Sequence, residues 1–445
     1  MNHTNREVTL DQILQAKEDR VRLQNELLRT YQCPLISFTM NIAGPVKNSP
    51  LIQRGFQEGL KALSRHLQDA AIRKCTVDIS ITGCQALYAV NIDAAELKKI
   101  CIAIEDETPL GRLFDMDVLD TDGTKLERKN LRNCIVCHAP GRACASRRIH
   151  PVWQLQSVTN DILHKHFAQV DREQIAKLAV QSLLDEVYTT PKPGLVDRRN
   201  NGSHTDMNII HFVASANALK PYFSECVKIG QDTSVFQPQH TFLLLRQAGI
   251  AAEKTMYDAT GGVNTHKGAI YTLGILCGAI GRFWTPECPI AEIPAILSEC
   301  AQMVRESVES DFTRSDGTTA GLRLYGQHGL TGIRGEVAAG LPAVANISLP
   351  VYKDGLNKGL SSNDAGVIAL LHLIASVKDT NLYHRGGTIG AHWAAKSALA
   401  LLENTPSITQ IEELDDSFIA RNLSPGGCAD LLAVTYFIYS LYSQE

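Results

Sequence analysis

Two carboxylates, Asp115 and Asp117, stand two apart in Gly111-Arg112-Leu113-Phe114-Asp115-Met116-Asp117-Val118-Leu119. The alternation has the period of a β-strand. Phe114, Met116 and Val118 are therefore expected on one face and both aspartates on the other. Two like charges side by side repel each other unless a cation lies between them. Where phosphate is handled that cation is usually Mg²⁺, a hard ion that takes oxygen ligands. Arg112 adds a charge suited to phosphate. A solvated polar strand face has the same spacing, so the pair alone does not decide between the two.

A second cluster follows: Cys134-Ile135-Val136-Cys137-His138, then Arg142, Cys144, Arg147, Arg148 and His150. Cys-x-x-Cys-His is formally a c-type haem attachment motif, but a chain without a secretory signal is the wrong setting. Cys134, Cys137 and Cys144, with His138 or His150, have the residue types of a zinc knuckle. Arg142, Arg147 and Arg148 favour instead a loop that binds a polyanion, and this reading is preferred to zinc. A solvated basic turn stays open. Upstream, Asn41 to Pro50 reads as a strand, a turn at Gly44-Pro45 and a helix start at Ser49. Lys47 and the free amides there could hold phosphate, or the segment is a plain joint.

The second half carries its functional groups in loops. Glu186 precedes Pro191-Lys192-Pro193-Gly194-Leu195-Val196-Asp197-Arg198 and a run from Asn200 to Met207 that includes His204 and Asp206. Asp197 and Asp206 are candidate bases or metal ligands, and Lys192 and Arg198 candidate phosphate binders. Gly261 to Gly268, with Asn264, His266 and Lys267, enters a helix expected at Ala269 and suits a phosphate cradle. Four further small-residue loops each lead into a helix: Gly329 to Glu336 with Arg334, Ser361 to Asp364 with Asn363, His384 to Gly387, and Ser424 to Asp430. Ser and Asp are also ordinary N-caps, so each is weak alone. If they gather at one end of a bundle they describe a polar pocket.

The elements that must position these groups differ between the halves. From Leu35 to Leu131 strand and helix patterns alternate, which predicts a mixed α/β domain behind an N-terminal helix capped by Thr9 and Gln12. Ser49 and Pro50 open a helix to about Asp69, Asp93 and Glu96 another to about Glu105, and Thr121-Asp122-Gly123-Thr124 forms a hairpin-type turn. After about Leu155 the strand signal vanishes and helical patterns recur. Asp171 and Gln174 resemble a further helix start, and the domain boundary is placed near residues 165 to 175. The expected organisation is two domains, residues 1–170 and 171–445, the first α/β and the second all-α. The 445 residues carry a net charge of only −4, with 44% apolar and 20% charged residues. No basic excess points to nucleic acid. No apolar run reaches the roughly 20 residues of a membrane helix, and the polar start is not a secretory signal. The chain reads as cytosolic, its 12 cysteines reduced.

With these motifs in view, two resemblances emerge. Asn41 to Pro50, Gly111 to Val118 and Cys134 to His150 resemble the apo-citrate lyase phosphoribosyl-dephospho-CoA transferases. Pro191 to Met207, Gly262 to Gly268, Gly329 to Glu336, Ser361 to Asp364, His384 to Gly387 and Ser424 to Asp430 resemble the triphosphoribosyl-dephospho-CoA synthases. The resemblance implies a nucleotidyltransferase-like first domain and a fusion of two often separate activities. ATP would lose adenine and join dephospho-CoA. A serine of the citrate lyase acyl carrier (gamma) subunit would then take the phosphoribosyl-dephospho-CoA group, with loss of pyrophosphate. On this reading Asp115 and Asp117 hold Mg²⁺ for transfer. Asp197, Asp206, Glu336 and Asp364 share the carboxylate work of synthesis. Lys47, Arg112, Arg142, Arg147, Arg148, Lys192, Arg198, His204, Asn264, His266, Lys267, Arg334, Asn363 and Asp430 contact substrates. Three alternatives stay open: the same chemistry serving malonate decarboxylase, a zinc-binding interaction protein, or a nucleoside hydrolase in the helical half.

Overall fold

The computed structural model describes residues 6–67, 69–130, 132–313 and 320–443; the side chains of Ala70, Arg142, Ala145 and residues 320–322 lie outside that description. The chain divides into two compact units, Met1–Gln169 and Val170–Glu445.

The first unit runs α1 (Leu10–Tyr31), β1 (Leu35–Met40), α2 (Pro50–His66), β2 (Ile72–Ser80), β3 (Gly83–Val90), α3 (Ala94–Glu107), β4 (Phe114–Leu119) and α4 (Gly141–Arg147), then enters α5 (Val152–Tyr188). Its four strands form one antiparallel sheet in the order β2-β3-β1-β4. The helix starts follow from local chemistry. Thr9 and Gln12 exchange capping bonds, Ser49 accepts from the Ile52 amide, and Asp93 accepts from the amides of Ala95 and Glu96. The turn after β4 is closed by Gly123 N–H on Asp120 O at 2.9 Å.

The alternation of β4 sorts its side chains as the pattern requires. Phe114, Met116 and Val118 are buried. Phe38 on β1 stacks on Phe56 of α2 at 4.8 Å and meets Phe114 edge-on at 5.3 Å. Asp115 and Asp117 face the other way, paired in register with Thr39 and Ser37. On that second face α1 packs Leu27 and Leu28 on Leu35, Leu87 and Ala89. β4 is an edge strand, and α3 satisfies its outer backbone. Lys98 Nζ donates to Met116 O at 3.1 Å, and Met116 N donates to Glu105 Oε1 at 2.8 Å.

The described elements of the second unit are all helical. They are the rest of α5, then α6 (Ile209–Ala218), α7 (Lys220–Thr233), α8 (Pro238–Thr260), α9 (Lys267–Phe283), α10 (Ile293–Thr313), α11 (Ala320–His328), α12 (Gly332–Ala338), α13 (Leu349–Asn357), α14 (Ser362–Ser376), α15 (Thr380–Leu402), α16 (Ile408–Ala420) and α17 (Gly426–Tyr442). The buried helix α9 lies against α7 where Gly230 meets Gly278; a Cβ on Gly230 would stand 2.1 Å from Gly278 O. Among the described residues no single helix is long and apolar enough to cross a membrane. α14 and α15 pass that test only as a pair bent by 58°.

Three local expectations are corrected. No helix starts at Asp171, because α5 runs through it without a break; Asp171 Oδ2 accepts from the Trp284 indole at 2.9 Å. His384 to Gly387 is not a loop before a helix but lies inside α15, which Gly387 interrupts with φ 59° and ψ −167°. The helix expected at Ala269 begins at Lys267.

Candidate active sites

In the first unit a cavity of about 750 Å³ opens beside the polar end of β4. Asp115 and Asp117 form one wall. Lys125, from the strand-like return after the turn, pairs with Asp117 Oδ2 at 2.6 Å. Arg132 donates to Phe114 O at 2.8 Å and pairs with Glu105 at 2.9 Å. Arg128 bridges Glu105 and Asp106. Arg112, Arg148 and Lys98 complete the cationic lining. Partial desolvation pushes the Asp115 pKa up, and the neighbouring Asp117 charge pushes the same way, opposed by Lys125, Arg132 and Lys98. Arg20 on α1 donates to Gln85 at 2.7 Å and feels both aspartates.

The expected site residues of this unit divide. Asp115, Asp117, Arg112 and Arg148 line the cavity, whereas Lys47 and Arg147 do not. Lys47 Nζ turns back to Ile42 O at 2.5 Å, closing its own turn. The side chain of Arg142 lies outside the described residues. Sequence reasoning missed Lys98, Glu105, Lys125, Arg128 and Arg132. Lys125 alone had a signal, because a hairpin turn returns it beside the acidic strand. The Cys-rich segment borders the same cavity through Cys134, Cys144 and His150. Cys137 Sγ lies 3.4 Å from Cys144 Sγ and 3.2 Å from His150 Nε2. The Ala139 amide, His150 and Cys144 pull the Cys137 thiol down to about 6, while Cys144 is pushed up to about 11. His138 is exposed, with a left-handed φ of 60°, and is not part of the group.

The second unit gathers its loops around a cavity of about 670 Å³. Lys192, Lys267, Arg334 and Arg385 supply positive charge; Glu186, Asp206 and Asp430 supply carboxylates. Asn264, His204 and His266 also line it. Lys192 is buried and ion-paired to Glu186, whose carbonyl it also meets at 2.7 Å. Burial and the Lys192 charge push the His266 pKa down to about 3, so the ring is neutral. Its Nδ1 meets Ser215 Oγ at 2.7 Å, and its Nε2 is buried without a partner. Asp430 accepts from the Ala269 amide at the start of α9; burial, then the charges of Glu186 and Asp379, hold its pKa well above the usual range. Gly268 makes room for it, since a Cβ there would lie 1.9 Å from Asp430 Oδ2. His204 bonds Ser424 Oγ at 2.9 Å and Arg385 at 3.2 Å, and stands 3.8 Å from Asp206.

A second cavity of about 480 Å³ shares Leu330, Thr331, Gly332, Ile333, Thr380 and Gly427 with the first. Glu336 lines this lobe, its pKa raised by burial and its Oε2 accepting from Ala343 N at 3.2 Å. Asp379, absent from the expected set, also lines it. Its carboxylate accepts from Asn381 N at 2.7 Å and Cys428 N at 2.8 Å, joining the starts of α15 and α17.

Four expected residues line neither lobe. Asp197 accepts from the amides of Lys192, Arg199 and Asn200 at 2.7–3.1 Å, shaping its own loop. Arg198 lies over the Tyr188 ring at 4.9 Å. Asn363 pairs with both backbone groups of Thr190, at 2.9 and 2.7 Å. Asp364 accepts from Ser361 Oγ at 2.8 Å at the start of α14.

Family comparisons meet this geometry unit by unit. The family model for apo-citrate lyase phosphoribosyl-dephospho-CoA transferase (CitX) matches residues 8–166. That for ATP:dephospho-CoA triphosphoribosyl transferase (CitG) matches residues 172–445. Protein CitXG of Haemophilus influenzae is 34% identical over 97% of this chain and 96% of its own length. The chain belongs to the CitXG family. It is a bifunctional transferase with the CitG synthase and CitX transferase activities that form holo-citrate lyase. Protein CitXG of Leuconostoc mesenteroides subsp. cremoris is 33% identical over 98% of the chain and 97% of its own length. The 2-(5''-triphosphoribosyl)-3'-dephosphocoenzyme-A synthase of Haemophilus ducreyi is 37% identical over 69% of this chain and 99% of its own length.

Proposed function

We propose that the helical cavity performs synthesis and the sheet cavity performs transfer, with these residues in these roles. In synthesis the dephospho-CoA ribose 2′-hydroxyl attacks C1′ of the ATP ribose, and the bond to adenine breaks. Asp430 takes the hydroxyl proton. Its raised pKa makes it a stronger base than an ordinary carboxylate, while the Ala269 amide keeps it aimed at the start of α9. Lys267, Arg334 and Arg385 hold the triphosphate. Neutral His266 offers Nε2 to the nucleotide. Glu336 and Asp379 serve the adjoining lobe, which takes the second substrate. Asp197 and Asp364 drop out of the chemistry, because they line neither lobe.

In transfer a serine hydroxyl of the acyl carrier subunit attacks the α-phosphate, and pyrophosphate leaves. The first unit serves here as a nucleotidyltransferase-type domain. Asp115 and Asp117 fit Mg²⁺: they are hard oxygen donors on one strand face, and burial, then the Asp117 charge, already raises the Asp115 pKa. Bound Mg²⁺ would neutralise charge on the departing pyrophosphate. Arg112, Arg132 and Arg148 orient the phosphates, and Lys125 restrains Asp117 at 2.6 Å.

The observation that carries this reading is that acids and cations converge on one cavity in each unit, around Asp430 in one and Asp115 in the other. The test supplies ATP, dephospho-CoA and apo-carrier to the full chain, then measures adenine and carrier mass. Adenine formed without dephospho-CoA, or a carrier that gains no mass when the intermediate is supplied, would contradict it.

A further inference from the structure

The Cys-rich segment is packed more tightly than a phosphate-binding loop requires. The Sγ atoms of Cys134, Cys137 and Cys144 and a ring nitrogen of His150 all lie within 4.8 Å of one another. A tetrahedral zinc with Zn–S near ~2.3 Å sets its sulfur ligands about 3.8 Å apart, so small shifts seat an ion. The backbone is already shaped for it. Cys134 N donates to Ala139 O at 2.7 Å, closing a short loop around the Cys-x-x-Cys turn. Val136 N donates to Cys134 Sγ at 3.4 Å, and the Ala139 amide bonds Cys137 in the same way two residues on. α4 presents Cys144, and His150 follows the helix. Gln154 Oε1 holds His150 Nδ1 at 3.2 Å, which leaves Nε2 turned to the thiols.

We propose that Cys134, Cys137, Cys144 and His150 bind one Zn²⁺ in a closed structural site. Three soft thiolates and an imidazole select zinc over the hard Mg²⁺ of the neighbouring carboxylates. The four protein ligands leave no open position, so the ion positions and does not react. What it positions is the cationic wall of the transfer cavity. Arg112 donates to the carbonyl of Asn133, the residue before Cys134, and Arg148 lies between Cys144 and His150. This proposal departs from the reading of a metal-free substrate loop drawn from the arginines alone.

Full-length protein purified without chelator is expected to carry one zinc per chain by mass spectrometry. Cys137→Ser and Cys144→Ser should each lose most of it, whereas Cys288→Ser, an exposed cysteine of the other unit, should keep it. Co²⁺ in place of zinc should give thiolate charge-transfer absorption in the unmutated protein. Alkylation should slow at Cys137 when zinc is present and not at Cys288. A chain that binds no zinc after equimolar addition, an unprotected Cys137, or a Cys137–Cys144 disulfide in place of metal each overturns the proposal. These readouts do not depend on the transfer reading. A further arm, which rests on it, strips zinc and expects transfer to fall about 10- to 100-fold with adenine release unchanged. Equal rates with and without zinc would refute the positioning role.

Discussion

The two cavities assemble charge in different ways. In the first unit two acids share one strand face, and their surroundings follow from a hairpin and one flanking helix. In the second unit Lys192, His266, Arg334, Arg385 and Asp430 come from separate segments and meet only when the bundle closes. In the strand site partial desolvation, then the Asp117 charge, raises the Asp115 pKa, and Lys125, Arg132 and Lys98 oppose the rise. The bundle site is built on burial, which neutralises His266 and raises Asp430. Burial acts in both: in the first nearby cations oppose it, whereas in the second nearby charge acts in the same direction on His266 and Asp430.

Substitutions can break this contrast. The largest effect is expected for Asp430→Asn, which should slow adenine release about 10²- to 10⁴-fold. Transfer of separately supplied intermediate should stay at its normal rate, and a loss of both would break the separation of sites. Next, Arg385→Met should raise the KM for ATP about 10- to 100-fold with little change in transfer, the loss of one charge-assisted bond to phosphate.

Lys125→Met sharpens the role of neighbouring charge. Asp115 has a raised pKa, so its active carboxylate is lost as pH falls at a higher pH than for an ordinary aspartate. Lys125 opposes that rise, so removing it should move the acid limb of the transfer profile upward. An acid limb unmoved in Lys125→Met would detach Asp115 from the activity. The smallest effect belongs to Asp364→Ala. The N-cap bond from Asp364 N to Ser361 Oγ survives at 3.1 Å, so stability should fall by only about 0.5–1 kcal/mol in urea unfolding, with adenine release retained.

The difference between the sites also decides how much of each could be read from sequence. Period two sends Asp115 and Asp117 to the face opposite Phe114, Met116 and Val118, so that pair was legible. Helix starts at Thr9, Ser49 and Asp93 were legible for the same local reason. Arg132 and Glu105 were not, because they meet across β4 through tertiary packing. In the bundle, loop position gave the right segments without the right atoms. Asp197 and Asp430 look alike as acids in Gly-rich loops. One turns back onto three amides of its own loop, and the other points into the cavity through the space left by Gly268. Asp197 sits in the loop between α5 and α6, whereas Asp430 stands within α17. In Cys134 to His150 the arginine content suggested anions, and the fold also brings three sulfurs and His150 to one point, which spacing alone did not show.

The separation of the two chemistries is tested most directly by Asp115→Asn in the full chain, with ATP, dephospho-CoA and apo-carrier in one reaction. Adenine should appear at the unmutated rate while gain of mass by the carrier slows about 10²- to 10³-fold. A carrier modified at the normal rate, or adenine release that falls in step with transfer, would contradict it.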